Sequence, residues 1–215
     1  MKNIAIYGFG GFGREVACLL NTINEVEPTW NFIGFIDDGV PVGTACRYGK
    51  VIGNLEFVNT CRESLSIVIA IANCQILKKL HAEIVNPAID FPNIIAPNVT
   101  YFDKDSLEIG VGNLITFNCR ISCEVKIGNF NVINGAVSFG HDVQIGDYNV
   151  FGPSTRISGK CRIGNENNFG VQSLVLQGIM IGNNTRIGLA SVIIRNTQDN
   201  KLYFGNPAKK VEGLD

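Results

Sequence analysis

A small α/β unit joined to a parallel β-helix is the fold class that the sequence predicts. Two observations carry it. From Ile109 onward every sixth residue is large and apolar. Before that point, short apolar stretches of strand character alternate with helical ones, and the first of them runs into a cluster of glycines. The patterns divide the chain near residue 90, into residues 1–90 and 91–215.

The N-terminal part is built element by element. Residues 3–8, NIAIYG, form a short buried strand. The chain then reads GFGGFGREVACLLN over 8–21, with glycines at 8, 10, 11 and 13 opening a helix from Arg14 to about Leu20. After a strand and before a helix, a G-x-G-x-x-G spacing has physical meaning. Glycine lets backbone approach a diphosphate, and the helix N-terminus favours its charge. A second strand, NFIGFIDD over 31–38, ends on Asp37 and Asp38. An acid at this distance from the glycines usually bonds a ribose or base. A third strand, SIVIAIAN over 66–73, is continuously apolar, as a central parallel strand should be. A helix follows from Gln75 to about Ile84, and 91–99 leads towards the repeat. Residues 1–90 thus read as a Rossmann-like βαβ domain that binds a nucleotide. The competing reading is a tight strand-to-helix turn with two solvated acids. NAD fits the motif too, but no hydride-transfer site accompanies it, so a nucleotide-linked substrate is more economical.

The C-terminal part is a repeat. The sixth-residue series is Ile109, Ile115, Ile121, Ile127, Ile133, Phe139, Ile145, Phe151, Ile157, Ile163, Phe169, Val175, Ile181, Ile187, Ile193. Chance does not supply that in a chain 46% hydrophobic. Ile-Gly recurs at 109, 127, 145, 163 and 181, eighteen residues apart, and Asn113, Asn131, Asn149 and Asn167 keep the same step. A period of six fits neither helix nor flat strand. It fits a coil with sides of six residues, three sides per turn, and about five coils between 107 and 195. Each hexad points one Ile, Phe or Val inward. The residue two before it (Val125, Val137, Val143, Thr155, Cys161, Ser173, Thr185, Ser191) fills the remaining interior. Glycine and asparagine suit the corners, where a positive φ is needed.

Composition excludes some classes. The net charge is −1, with no basic patch for nucleic acid and no charged tail. The N-terminus turns into glycine after a few residues, too early for a signal peptide or a membrane span, so a cytoplasmic protein is expected. Seven cysteines, with no CxxC and no paired Cys/His set, read as small buried hydrophobes in a reducing compartment, with no metal site. Of the two histidines, His81 lies in a helical stretch and reads as a surface residue. His141 is followed directly by Asp142, two positions after the inward Phe139, in a corner rather than a core slot. A histidine with a neighbouring carboxylate can serve as a general base.

Together the halves resemble the sugar O- and N-acyltransferases of the NeuD and PglD type. The resemblance rests on IYGFGGFGREV (6–16), FIDD (35–38), IAIAN (69–73), HDVQIGDY (141–148) and GNPAKKV (205–211). It implies a left-handed β-helix, an acetyl-CoA donor, a nucleotide-linked sugar acceptor and a homotrimer with sites between subunits. His141 falls on that family's catalytic base, Asp142 on the carboxylate that assists it, and Gly159 on the backbone N–H that holds the oxyanion. Gly8, Phe9, Gly10, Gly11, Asp37 and Asp38 fall on nucleotide-sugar contacts, with Ala72 and Asn134 also on the substrate side. Gly170, Val171, Gly188 and Leu189 fall along the pantetheine path. Val150 stands on the donor side, where the family often has a second histidine. Ala96 and Ala72 replace the histidine of IHP and the glycine of AIGN. The function expected is acetyl transfer to an amino or hydroxyl group of a nucleotide sugar. The alternative is a non-catalytic hexapeptide scaffold that binds a nucleotide sugar.

Overall fold

The computed structural model describes residues 1–211; residues 212–215, the end of the expected C-terminal tail, lie outside the described residues. The chain divides into two compact units, Met1–Pro97 and Asn98–Asp215.

In the first unit β1 (Lys2–Tyr7) leads into α1 (Gly11–Val26) and β2 (Trp30–Ile36). A hairpin of β3 (Ala45–Cys46) and β4 (Gly49–Gly53) follows, then α2 (Leu55–Thr60), β5 (Leu65–Ile69), α3 (Cys74–Glu83) and β6 (Ile89–Asp90). The sheet order is β3-β4-β2-β1-β5-β6. Only the β3–β4 pair is antiparallel. Strand order therefore reverses at β1, between β2 and β5. Open α/β sheets bind ligands at such a switch, beyond the carboxyl ends of the strands.

Three local details differ from the sequence expectation. Helix α1 begins at Gly11, not Arg14, because the glycines belong to its first turn. Gly13 is buried there, and a side chain on it would strike the Gly8 carbonyl. The strands ending at Asp38 and Asn73 stop earlier, at Ile36 and Ile69. Asp37 turns back to accept from the Phe9 and Gly39 N–H groups, both at 2.9 Å, and Asn73 caps α3 through the N–H groups of Gln75 and Ile76. The β3–β4 hairpin and α2 were not expected.

The second unit is a three-faced left-handed β-helix whose strands are two residues long, save for a closing antiparallel hairpin of Leu202–Gly205 and Ala208–Lys210 on the first face. The first face stacks Leu114–Ile115, Val132–Ile133, Val150–Phe151, Asn168–Phe169 and Arg186–Ile187 in register. The second stacks Thr100–Tyr101, Arg120–Ile121, Ser138–Phe139, Arg156–Ile157, Leu174–Val175 and Val192–Ile193. The third stacks Glu108–Ile109, Lys126–Ile127, Gln144–Ile145, Arg162–Ile163 and Met180–Ile181. All of the sixth-residue series but the half-exposed Ile109 is buried, and so is each predicted filler from Val125 to Ser191. Phe151 and Phe169 stack at 4.6 Å with no more than 1% exposure.

Gly112, Gly178, Asn118 and Asn184 take the positive φ expected of corner residues, but most of the repeating asparagines and glycines do other work. Positive φ falls three residues after each inward residue from Ile109 to Ile187, mostly on non-glycines: Glu124, Phe130, Ala136, Asp142, Tyr148, Ser154, Lys160 and Glu166 among them. Non-glycine residues resist this conformation. Here each N–H donates to the neighbouring coil, as Ala136 does to Phe117 and Glu166 to Asp147, which offsets that cost. Asn113, Asn131, Asn149 and Asn167 are not corner residues but are fully buried. Each Oδ1 in this column accepts the next coil's backbone N–H at 2.8–2.9 Å, and for the first three also its Nδ2 at 3.0 Å, ending on Thr185. A second, outer ladder joins Asn129, Asp147, Asn165, Asn183 and Asp199, each accepting the backbone N–H of the coil before. The glycine of each Ile-Gly pair lies against this ladder; a side chain on Gly128 would meet the Gly146 carbonyl oxygen at 2.7 Å.

Cysteine burial also needs correction. Cys74, Cys119 and Cys161 are buried, whereas Cys18, Cys46, Cys61 and Cys123 are half-exposed, and none of the seven is in a disulfide. Burial pushes the Cys119 thiol up to about 11. His81 is half-buried, edge-on to Phe91 at 5.0 Å, and burial lowers its pKa.

Removing a rung of the inner ladder strands donors with no water to replace the lost acceptor. Asn149→Ala should cost about 1–3 kcal/mol for each donor left unpaired on Asn167. Asn165→Ala on the outer ladder, where water can substitute, should stay within about 1 kcal/mol. Urea unfolding of the two variants beside the wild type measures the difference.

Candidate functional site

The first unit gathers its predicted site residues around the switch point. Gly8 has φ +117° and lies so close to the chain after β5 that a side chain would meet the Ala70 carbonyl at 3.0 Å. Gly10 and Gly11 are exposed, with nothing within 4 Å of where a side chain would begin. Helix α1 starts here with no side-chain cap and no acid in its first turn. Its leading N–H groups therefore have no side-chain acceptor, an arrangement suited to an anion. Phe9 packs edge-on against Phe35 at 5.2 Å. Ala72 is exposed on the loop before α3.

Asp37 and Asp38 are not merely solvated acids. Asp37 fixes the glycine loop through the Phe9 N–H. Asp38 accepts from the Tyr7 hydroxyl at 2.5 Å and from the Leu55 N–H at 2.9 Å. The Tyr7 hydroxyl is held protonated, its pKa raised first by burial and then by that hydrogen bond. Sequence reading missed Tyr7, which it took only as part of a short buried strand.

In the second unit His141 and Asp142 occupy the corner between the second and third faces. Asp142 has φ +60°, the left-handed corner conformation. That turn makes adjacent side chains neighbours: Nδ1 of His141 and Oδ2 of Asp142 are 2.6 Å apart, with both side chains about half exposed. The Asp142 carboxylate thus holds Nδ1, and Nε2 is the nitrogen left for a substrate. The ring lies over Gly159, one coil further on, where a side chain would meet Nε2 at 2.6 Å and Cε1 at 2.8 Å. Gly159 is buried beneath it, and among the described residues its N–H has no acceptor. Glycine at 159 is what gives the imidazole its place.

A groove of about 420 Å³ runs from His141 over the second face, lined by Phe102, Arg120, Ser122, Ser138, Arg156 and Ser158 among others. The sequence expectation did not include these side chains. The signal was present, since Arg120, Ser138 and Arg156 precede inward residues at steps of eighteen.

The predicted donor-side residues lie elsewhere. Gly170, Val171, Gly188 and Leu189 form the corner between the first and second faces. Val171 and Leu189 are 48% and 64% exposed, and among the described residues their N–H groups have no acceptor. A side chain on Gly170 would meet the Leu189 nitrogen at 2.5 Å. The whole second face separates this corner from His141. Val150, on the first face in register with Val132, is buried at 4% exposure. Asn134 is half-buried and donates to the Phe151 carbonyl at 3.0 Å.

Among the described residues no cluster of His, Cys, Asp or Glu could hold a metal ion, and no helix is long and apolar enough to cross a membrane.

Residues 3–84 match the PglD N-terminal domain family. No curated protein matches the sequence. Among solved structures the chain is similar to WeeI from Acinetobacter baumannii, with 28% identity, a TM-score of 0.88, and coverage of 98% of this chain and 100% of that one. It is also similar to the acetyltransferase domain of PglB from Neisseria gonorrhoeae, solved with acetyl coenzyme A: 24% identity, TM-score 0.88, coverage 98% and 99%. A third is perosamine N-acetyltransferase from Caulobacter crescentus, solved as a mutant with CoA and GDP-perosamine: 23% identity, TM-score 0.87, coverage 98% and 97%. These last two are likenesses of fold.

The contacts of the glycine loop yield a paired expectation. Gly13→Ala drives a methyl group into the Gly8 carbonyl and should cost about 1–3 kcal/mol. Gly11→Ala points into open space and should leave the melting temperature unchanged or slightly raised. Thermal unfolding of both variants checks this.

Proposed function

We propose that this chain, whose N-terminal part matches the PglD N-terminal domain family, transfers an acetyl group from acetyl-CoA to an amino or hydroxyl group of a nucleotide-linked sugar. The observation that carries the reading is the His141–Asp142 pair at 2.6 Å on an open corner, its ring seated over a glycine. The first unit holds the nucleotide through Gly8, Phe9, Gly10, Gly11 and the Asp37–Asp38 turn. The second unit carries out the transfer.

Neutral His141 takes the acceptor's proton through Nε2 as the acceptor's lone pair attacks the thioester carbonyl. The negative charge of the tetrahedral intermediate falls on the carbonyl oxygen, which the Gly159 N–H receives. Asp142 holds the ring's orientation and stabilises the imidazolium. Collapse breaks the C–S bond, and the proton passes to the departing thiolate. The products are the acetylated sugar and free CoA, with no covalent enzyme intermediate.

A full face of the prism lies between His141 and the Gly170–Leu189 corner. A CoA held at the Gly170–Leu189 corner of one copy, with its thioester at His141 of another, accounts for both sets of residues. Such intersubunit sites go with the expected homotrimer, which sedimentation of the purified protein tests. Seven cysteines without a disulfide suit a cytoplasmic enzyme.

His141→Asn should lower turnover by about 10²- to 10⁴-fold while acetyl-CoA still binds and the melting temperature holds. Asp142→Asn should keep the ring in place and lose part of that factor. The assay is thiol release from acetyl-CoA against a panel of nucleotide-linked amino sugars. Wild-type rates in the His141 variant would remove the base; absence of CoA binding in the wild type would leave a sugar-binding scaffold.

A further inference from the structure

The groove beside His141 has a composition that acyl transfer alone does not require. Its floor is two columns of outward residues on the second face. One column, in strict register, is Arg120, Ser138, Arg156. The other, two residues on in each strand, is Ser122, Gly140, Ser158. The middle of each column carries a small residue or none, and both ends carry a donor. The result is a basin with a guanidinium and a hydroxyl on either side.

Among the described residues neither Arg120 nor Arg156 forms an ion pair, and no carboxylate lines the groove. The Ser138 and Ser158 hydroxyls make no hydrogen bond among the described residues either, and Ser122 reaches only the Cys123 sulfur at 3.9 Å. Outward charges on this prism can be paired when a partner is in register: Lys126 and Glu108, neighbours on the third face, meet at 2.6 Å. On the second face serine stands between the arginines instead. Neighbouring coils are about 4.8 Å apart, so the Arg120 and Arg156 backbones are about 10 Å apart. That separation lets two forked side chains close on one small group between them, and guanidinium forks match carboxylate and phosphate oxygens.

We infer that the basin formed by Arg120, Ser138 and Arg156, with Ser122 and Ser158, binds an oxyanion, phosphate or carboxylate, carried by a substrate that reaches His141. Two sources share this chemistry, the phosphates of the CoA donor and an anionic group of the sugar acceptor. The inference rests on the acetyltransferase reading only for the choice of these two substrates.

The test uses the full chain and an Arg120→Gln/Arg156→Gln variant, with Arg120→Lys/Arg156→Lys as the control that keeps the charge if the first fails to fold. Inorganic phosphate is the first probe, compared with chloride at matched ionic strength. Phosphate should raise the wild-type melting temperature by clearly more than that of the glutamine variant, which keeps only the glycine loop of the first unit as an anion site, with the lysine variant intermediate. Titration then names the source. A rise of about tenfold or more in the Kd of acetyl-CoA in the glutamine variant assigns the basin to the donor; the same rise for a nucleotide-linked amino sugar assigns it to the acceptor. Equal effects of phosphate and chloride on the wild type would overturn the proposal. So would a variant whose only change is its sedimentation, since the face would then be covered by another copy. None of these readouts needs turnover, so failure of His141 as a base and failure of the basin give different results.

Discussion

Stacking of one coil on the next, eighteen residues apart, is the constraint on which the second unit depends. Strands of two residues cannot hold a sheet by themselves. They hold because each corner residue also donates to the coil beside it, as Asp142 does to the Cys123 carbonyl and Lys160 to that of His141. Side-chain ladders bring the same step inside the prism. Fully buried amides would be costly alone. In the column from Asn113 to Asn167 each one satisfies the next, so polarity in the core fixes the register that the isoleucines by themselves would leave free to slip.

The candidate site is a local use of that register. At most corners the left-handed residue is simply tolerated. At Asp142 the same turn brings a carboxylate beside the imidazole, which an extended strand would not do, because its neighbouring side chains alternate. The next coil then decides whether the ring has room. Residue 159 is glycine, and residue 177, the next on that corner, is glutamine. Geometry of this kind comes from a side chain seated on the backbone of the next coil.

Much of this was legible in the sequence. The sixth-residue series located the core because burial leaves apolar residues at a spacing nothing else produces. The glycine cluster after the first strand located the switch point. Where reading failed, one residue type served two physical ends. Glycine and asparagine at regular spacing read as corner residues, yet Gly128 is glycine because the neighbouring coil touches it, and Asn131 is a core residue. The signal that separates them was there: an Asn or Asp directly follows Ile-Gly at 129, 147, 165 and 183. The extent of α1 was misread for a similar reason, since glycines that look like loop are the first turn of a helix pressed against a strand. Tyr7 and the arginine column were invisible to a reading that asked only which residues face inward.

The eighteen-residue step also decides how such a chain can change its length. An insertion or loss of eighteen residues away from the His141 corner adds or removes one whole coil and leaves every other residue on its own face. A change of six carries everything downstream round to the next face, and a change of one turns inward residues outward. Irregular lengths fall at the two ends of the prism: the step from Tyr101 to Ile109 is two residues longer than a hexad, and the step from Ile187 to its partner Tyr203 is two residues shorter than a coil. Length in this architecture is therefore close to digital. A lineage can lengthen or shorten the prism by whole coils while its reactive corner stays the same.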